Sequence, residues 1–234
     1  MEITVVIPCY NEAKSLKELF KQLEAVGNTI NFIVLDNGSI DNTQEILKTL
    51  TIPDNIQVVK KKINTGYGAG IKYGLKRVKT EYSGWMHGDL QQNPRILLYV
   101  NKLLENFSEK EIRESKAIKG LRSGRPIFEN FFTYGVAIFS SILFWKRFWD
   151  IAGQPNIFKT SSLKFLENAP DDHNFEFYVY INFLINNGAF TRFDAPFNKR
   201  KFGNSSWNTG FKSKIKHSIS VLKYICQLRF KSET

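Results

Sequence analysis

Four short strand-like runs, 3–8, 31–36, 56–60 and 82–87, the first of them rich in β-branched residues, alternate with segments of helical periodicity as far as residue 107. Consecutive parallel strands need long crossovers, usually helices, and those helices come to cover both faces of the sheet. The alternation therefore predicts an α/β fold with a mostly parallel central sheet. The first run ends at Pro8, as a buried strand stopped by proline should. Leu16, Leu19, Phe20 and Leu23 fall at helical spacing within 13–26. Asp41 lies near the cap of a helix over 41–50, a glycine-rich turn leads into a helix ending near residue 79, and Pro94 opens a helix to 107.

The second half is less regular. A strand is expected over 116–120, a long aromatic helix over 126–149, a helix over 174–187 closed by Gly188, and a strand over 190–197. Residues 213–230 carry Ile215, Ile219, Leu222 and Ile225 on one stripe with lysines between, a basic amphipathic helix suited to a membrane surface or to docking on the domain. The length suits one domain, 1–211, with halves 1–92 and 93–211, followed by the basic helix 212–234. Formal charge is +11, and nine Lys or Arg from Lys199 onward face a single acid, Glu233. Such a tail favours an anionic partner or forms a solvated basic face. Cys9 and Cys226 form no disulfide or zinc pattern. No signal peptide is expected, and the localisation expected is cytoplasmic or peripheral at a cytoplasmic membrane face. The charge-free run 131–145 would make a helix ~22 Å long, short of a ~30 Å hydrocarbon core, and is expected to be buried or interfacial.

In an open parallel sheet ligands bind beyond the carboxyl ends of the strands. Polar and turn-forming residues collect at four such ends: Pro8-Cys9-Tyr10-Asn11-Glu12, Asp36-Asn37-Gly38-Ser39-Ile40-Asp41-Asn42-Thr43, Asn64-Thr65-Gly66-Tyr67-Gly68-Ala69-Gly70, and His87-Gly88-Asp89-Leu90-Gln91. Taken singly, the second is a turn and helix cap, and the third permits close helix–sheet packing. Their occurrence in order at successive strand ends marks a site. No pattern of a nucleic-acid-binding fold accompanies the basic charge, so no nucleic-acid partner is expected.

These four motifs together resemble the ordered signature of glycosyltransferase family 2, within it the dolichyl- or polyprenyl-phosphate sugar synthases. Lys119-Gly120-Leu121-Arg122, the run from Gln154 to Phe158, and the run from Arg200 to Ser206 are similar to that branch's later motifs. The resemblance implies a GT-A fold with a Rossmann-like sheet, and an inverting transfer from a nucleotide-diphosphate sugar. By motif position Pro8, Tyr10, Asn11, Glu12, Asp36, Asn37, Gly66, Gly70, His87, Gly88 and Asp89 would bind the nucleotide sugar. An acidic side chain accepts hydrogen bonds from a ribose diol or base N–H, and Tyr10 offers a ring to stack on. Glu12 is otherwise a first-turn charge favourable to the helix dipole. Asp89 is the expected ligand of a divalent metal, Mg²⁺ or Mn²⁺, with Gln91 as supplement. The family's usual pattern is Asp-x-Asp, and His87 stands where the first acid belongs. Imidazole suits Mn²⁺ better than Mg²⁺.

Arg122, Arg125 and Arg200 are the expected phosphate partners, because a guanidinium fork matches phosphate oxygens. Ser205 and Ser206 would donate to the same anion or form an ordinary turn. A lipid-phosphate acceptor is already ionised and needs no base, leaving positioning and charge stabilisation to the metal and arginines. A sugar hydroxyl of a glycan needs a carboxylate, for which Asp171, Asp172 and Glu176 are the candidates, or else the aspartates are caps. The aromatic helix over 127–149, with flanking cations, suits a membrane interface, core packing or a dimer contact. The expected function is thus sugar transfer to a polyprenyl phosphate. The alternatives are transfer to a glycan hydroxyl and a catalytically inactive nucleotide-sugar-binding module. The partners expected are the nucleotide sugar, its acceptor, an anionic membrane surface and, as a possibility left open, a second copy.

Overall fold

The protein is described by a computed structural model covering residues 1–114, 116–202 and 211–231. Strands β1 (Ile3–Cys9), β2 (Asn31–Asn37), β3 (Ile56–Lys61) and β4 (Tyr82–Trp85) alternate with helices α1 (Leu16–Glu24), α2 (Thr43–Thr49) and α3 (Tyr67–Leu75). There follow α4 (Ile96–Glu105), α5 (Glu109–Arg113), β5 (Ala117–Ser123), α6 (Ile127–Phe144), β6 (Asn156–Lys159), α7 (Phe175–Ile185), β7 (Phe190–Pro196) and α8 (Phe211–Lys231). Among the described residues the seven strands form one sheet in the order β3-β2-β1-β4-β6-β5-β7.

Side chains alternate across the sheet. Ile3, Val5, Ile7 and Cys9 of β1 pack with Leu16, Leu19 and Leu23 of α1 and Leu97, Val100 and Leu104 of α4 on one face. Val6 joins Ile71 of α3 and Phe175, Tyr180 and Ile181 of α7 on the other. The mostly parallel sheet covered on both faces is the architecture expected from the sequence.

One strand was not expected. β6 runs antiparallel to both of its neighbours, β4 and β5, and so joins the two parallel portions of the sheet. Its four residues fall below the length at which alternation is visible, and Asn156 at its start reads as a turn. Two glycines admit it. A Cβ on Gly84 of β4 would overlap the Asn156 carbonyl, and one on Gly120 of β5 would overlap the Gln154 carbonyl.

The aromatic helix is shorter than 126–149. α6 stops at Phe144, where Trp145 turns left-handed at φ 54°. Of its 18 residues only Ala137 and Ser140 are buried. Ile127, Phe131, Tyr134, Ile138 and Ile142 make one exposed apolar face, and Trp145 beside them is 89% exposed. By length and composition the helix is apolar enough to cross a membrane. Core packing accounts for one face only: Ala137 joins the core, with Val136, Phe139, Leu143 and Phe144 packed against it, and the opposite face stays exposed.

α8 docks on the domain. It turns Val221 and Ile225 into the core, with Tyr224 and Leu228 packed against the same cluster. The buried face is rotated from the stripe read in the sequence: Ile225 belongs to it, whereas Ile215 and Ile219 are exposed.

The β6 junction makes a stability prediction. Gly84→Ala should cost about 1–3 kcal/mol, because the added methyl meets backbone that has no room to retreat. Gly135→Ala on α6, where a Cβ meets nothing within 4 Å, should be neutral or stabilising by up to ~1 kcal/mol. Urea unfolding midpoints of the two variants check both.

Candidate active site

The chain builds β1, β2 and β3 outward in one direction and then returns to place β4 on the other side of β1. This reversal opens a crevice at the carboxyl ends of β1 and β4, where open α/β sheets bind ligands. Three of the four motifs meet there.

The turn after β1 is stitched to the turn after β2. The Asn11 N–H donates to Ser39 Oγ at 3.0 Å, and Asn11 Oδ1 accepts from the Ile40 N–H at 2.9 Å. The Glu12 N–H donates to Thr43 Oγ1 at 3.1 Å, and the Ala13 N–H to Asp41 Oδ2 at 3.3 Å. Asn11, Ser39, Asp41 and Thr43 thus shape the crevice. Asp36, 1% exposed, accepts the Ser39 N–H on Oδ1 at 2.9 Å, while its Oδ2 is buried without a partner. Tyr10 and Ile40 stay exposed, and Pro8 is half-buried in β1.

Glu12, Asp36 and Asp89 gather around Cys9. Burial pushes the Cys9 thiol upward, and all three carboxylates push it the same way. A Cβ on Gly88 would come within 2.8 Å of Cys9 Sγ, so this glycine lets the β4 exit close on β1. Burial raises the Glu12 carboxyl, while Ser15 and Arg200 act in the opposite direction. The Arg200 guanidinium is bonded to Glu12 and to the Phe202 carbonyl. Asp89 Oδ1 accepts the Gln91 N–H at 3.1 Å. Gln91 is tied to the segment after β7: its Nε2 donates to the Asn198 carbonyl at 3.1 Å, and its own carbonyl accepts the Asn198 N–H at 2.7 Å. The His87 ring lies 5.3 Å from that of Tyr67.

The glycine run serves close packing. A Cβ on Gly66 would overlap the Asp171 carbonyl and one on Gly68 the Pro170 carbonyl, and the Ala69 N–H donates to Asp171 O at 3.0 Å. Gly70 packs on the Asn37 side chain, whose Nδ2 donates to the Gly66 carbonyl. The loop before α7 therefore covers the start of α3, leaving Gly66 and Gly70 explained without a ligand.

A second group of cations lies beside Phe197. The Arg122 and Arg125 guanidiniums each sit 5.7 Å from its ring. Asp150 grips Arg122 through Nε at 2.8 Å, through Nη2 and through the backbone N–H. Burial raises the Asp150 carboxyl, but Arg122 outweighs it and holds the group below its ordinary value. Arg125 bonds to Thr133 and Glu129, yet its Nε is buried without a partner. Burial and the neighbouring Arg122 both lower the Arg125 pKa.

The candidate bases are otherwise engaged. Asp172 accepts the Asn174 N–H at 2.8 Å and Asn174 Nδ2 at 3.0 Å, a turn leading into α7, whose cap position is Asn174 itself. Asp171 pairs with Lys72 at 2.8 Å. Glu176 is 6% exposed and takes four donors on its two oxygens, so it is no base for an acceptor hydroxyl. Ser205 and Ser206 lie outside the described residues. Asp150 and Tyr67 were not anticipated; Asp150 sits in no motif, and only its three-dimensional partner Arg122 gives it meaning.

Comparison with known proteins agrees with this geometry. The family described as Glycosyl transferase family 2 matches residues 4–111, the segment that holds β1 to β4 and their motifs. Over this segment the chain is similar to that family. It is 28% identical over 122 residues to a dolichol-phosphate mannosyltransferase of Pyrococcus furiosus, covering 51% of this chain and 34% of that protein. It is 34% identical over 98 residues to an undecaprenyl-phosphate 4-deoxy-4-formamido-L-arabinose transferase of Pseudomonas paraeruginosa, covering 39% of this chain and 29% of that protein. The chain thus spans about a third of the length of these relatives. The fold is shared with glucosyl-3-phosphoglycerate synthase of Mycobacterium tuberculosis, solved with Mn²⁺, UDP-glucose and phosphoglyceric acid. The TM-score is 0.66 at 18% identity, covering 96% of this chain and 79% of that one.

Removing Asp150 leaves Arg122 charged and half-buried without its partner. Asp150→Ala should cost ~3–5 kcal/mol in chemical unfolding at neutral pH. Because the Asp150 pKa is depressed in the fold, its contribution is present at neutral pH and is lost only as pH falls below the ordinary carboxylate range. The wild type and the variant should therefore converge in stability in strong acid.

Proposed function

We propose that this chain is an inverting glycosyltransferase that moves a sugar from a nucleotide-diphosphate sugar to a polyprenyl phosphate at an anionic membrane surface. The observation that carries the donor half is Asp36 Oδ2, a buried carboxylate oxygen without a donor at the strand-order reversal, beside Glu12 and Asp89. A ribose hydroxyl or base N–H supplies the missing hydrogen bond. Exposed Tyr10 stacks on the base, and Asn11, Asn37 and Pro8 hold the surrounding backbone.

A divalent ion fits the residues present. Among the described residues no group of three His, Cys, Asp or Glu is placed to hold a metal alone. Mg²⁺ and Mn²⁺ bound with a nucleotide diphosphate take one or two protein ligands and fill the rest from phosphate and water. Asp89 is the carboxylate for this role, His87 the adjoining nitrogen and Gln91 a supplementary oxygen. The ion would neutralise charge on the departing diphosphate.

The acceptor half rests on cations and on the engagement of the three candidate bases. Arg122 and Arg125 crowd one ring, and the unpartnered Arg125 Nε gains from an anion. Asp171, Asp172 and Glu176 are all engaged, so an acceptor that arrives already ionised suits the site better than a hydroxyl. A phosphate oxygen held by Arg122 and Arg125 attacks the anomeric carbon from the side opposite the diphosphate, which inverts it. Arg200 leaves Glu12 to meet the charge that develops on the donor. The lipid-phosphate specificity in the relatives' names and the exposed apolar face of α6 support the same reading. Aromatics flanked by Lys146 and Arg147 suit the interface of a bilayer.

Transfer from a panel of UDP-, GDP- and dTDP-sugars to polyprenyl phosphate tests this directly. We expect product with one donor, abolished by chelator and by Asp89→Ala, and slowed about 10²- to 10³-fold by Arg200→Ala with little change in donor affinity. Turnover of a soluble glycan with none of the lipid would overturn the acceptor assignment. Binding to anionic vesicles should weaken in Phe131→Glu while nucleotide binding is unchanged.

A further inference from the structure

Glu176 has a second consequence for the crevice. Its Oε1 accepts from Tyr67 Oη, Trp85 Nε1 and Gln154 Nε2, each at 2.8 Å, and its Oε2 accepts from Asn156 Nδ2 at 3.2 Å. Three of these four donors are linked to the segment around His87–Asp89. Trp85 ends β4 two residues before His87. Tyr67 opens α3 and lays its ring against the His87 imidazole. The Gln154 carbonyl accepts Gln92 Nε2 at 2.6 Å, three residues beyond Asp89. The segment between these grips includes Leu90 at φ 60°, a conformation a leucine holds only when its surroundings impose it.

We propose that Glu176 is a positioning residue for the donor site, its buried carboxylate fixing Trp85, Tyr67 and Gln154 together so that His87 and Asp89 are presented to the diphosphate and its metal. The proposal rests on the donor reading above. Burial and the Glu176 charge push the Tyr67 phenol well above its ordinary value, so this hydroxyl remains a donor. Gln154 Nε2 also donates to Tyr67 Oη at 2.7 Å, which closes the cluster on itself. Outer groups that orient a ligand of this kind typically contribute about 10- to 100-fold to metal affinity.

The test uses the full chain, with Mn²⁺ and whichever of UDP or GDP the wild type binds. Tyr67→Phe keeps the ring and removes one donor to Glu176; Glu176→Gln keeps the length and removes the charge. Titration calorimetry is run with Mn²⁺ and with chelator, alongside thermal unfolding. We expect Tyr67→Phe to remain folded and to weaken Mn²⁺-dependent nucleotide binding about tenfold or more, with metal-free binding unchanged. Glu176→Gln should do the same or more. Variants that melt earlier yet keep the wild-type metal dependence would overturn the positioning role while leaving the donor reading intact. If Glu176→Gln does not fold, Tyr67→Phe alone decides. A wild type that binds neither nucleotide would overturn the donor reading and this proposal together.

Discussion

A carboxylate removed from water is tolerated only where donors replace its hydration. Glu176 meets that condition with four donors drawn from α3, β4, the turn before β6, and β6 itself. The charge on the other side is Lys119, 1% exposed, whose Nζ donates to Asn156 Oδ1 and to the Gly153 carbonyl at 2.6 Å each. Burial lowers the Lys119 pKa to about 8, the Glu176 carboxylate opposing that fall. Asn156 therefore stands between a buried acid and a buried base, one hydrogen bond from each. The short antiparallel strand on which it sits is what holds the β1–β4 portion of the sheet to the β5–β7 portion.

That constraint also explains the shape of the crevice. The strand-order reversal places the β1, β2 and β4 exits together, but proximity alone leaves the exits free to move. The stitching of Asn11 to the Ser39–Ile40 turn fixes the first pair. The Glu176 cluster fixes the β4 exit from below. The Gln91–Asn198 pair carries the same segment across to the end of β7, next to Phe197 with its two arginines. The strand-end turns and the Phe197 arginines are thereby tied to one frame, which the Glu12–Arg200 pair also bridges.

Much of this was legible in the chain because local signals agreed. The first four strands are short runs each followed by a helical period, and the four motifs fall at their carboxyl ends. Asp36, Glu12 and Asp89 were singled out for that reason, and the fold brings all three near Cys9. β6 was not legible, because four residues carry no period and its neighbours Gly84 and Gly120 act through space they leave empty. Asp150 and Tyr67 were missed because their meaning lies in partners 28 and 109 residues away. The glycine run after β3 was read as nucleotide-binding by resemblance, whereas the loop before α7 accounts for Gly66 and Gly68 directly. The stripe on α8 was misphased because its first apolar residues, Ile215 and Ile219, face outward.

The central claim is that the crevice between β1 and β4 receives a nucleoside diphosphate. A crystal structure of the full chain with Mn²⁺ and UDP or GDP tests it most directly. The account predicts the base or ribose on Asp36 Oδ2, the ring of Tyr10 against the base, the diphosphate at Asp89, and Arg200 released from Glu12. A nucleotide bound elsewhere on the sheet, with Asp36 Oδ2 still unpartnered and the Glu12–Arg200 pair intact, would contradict it.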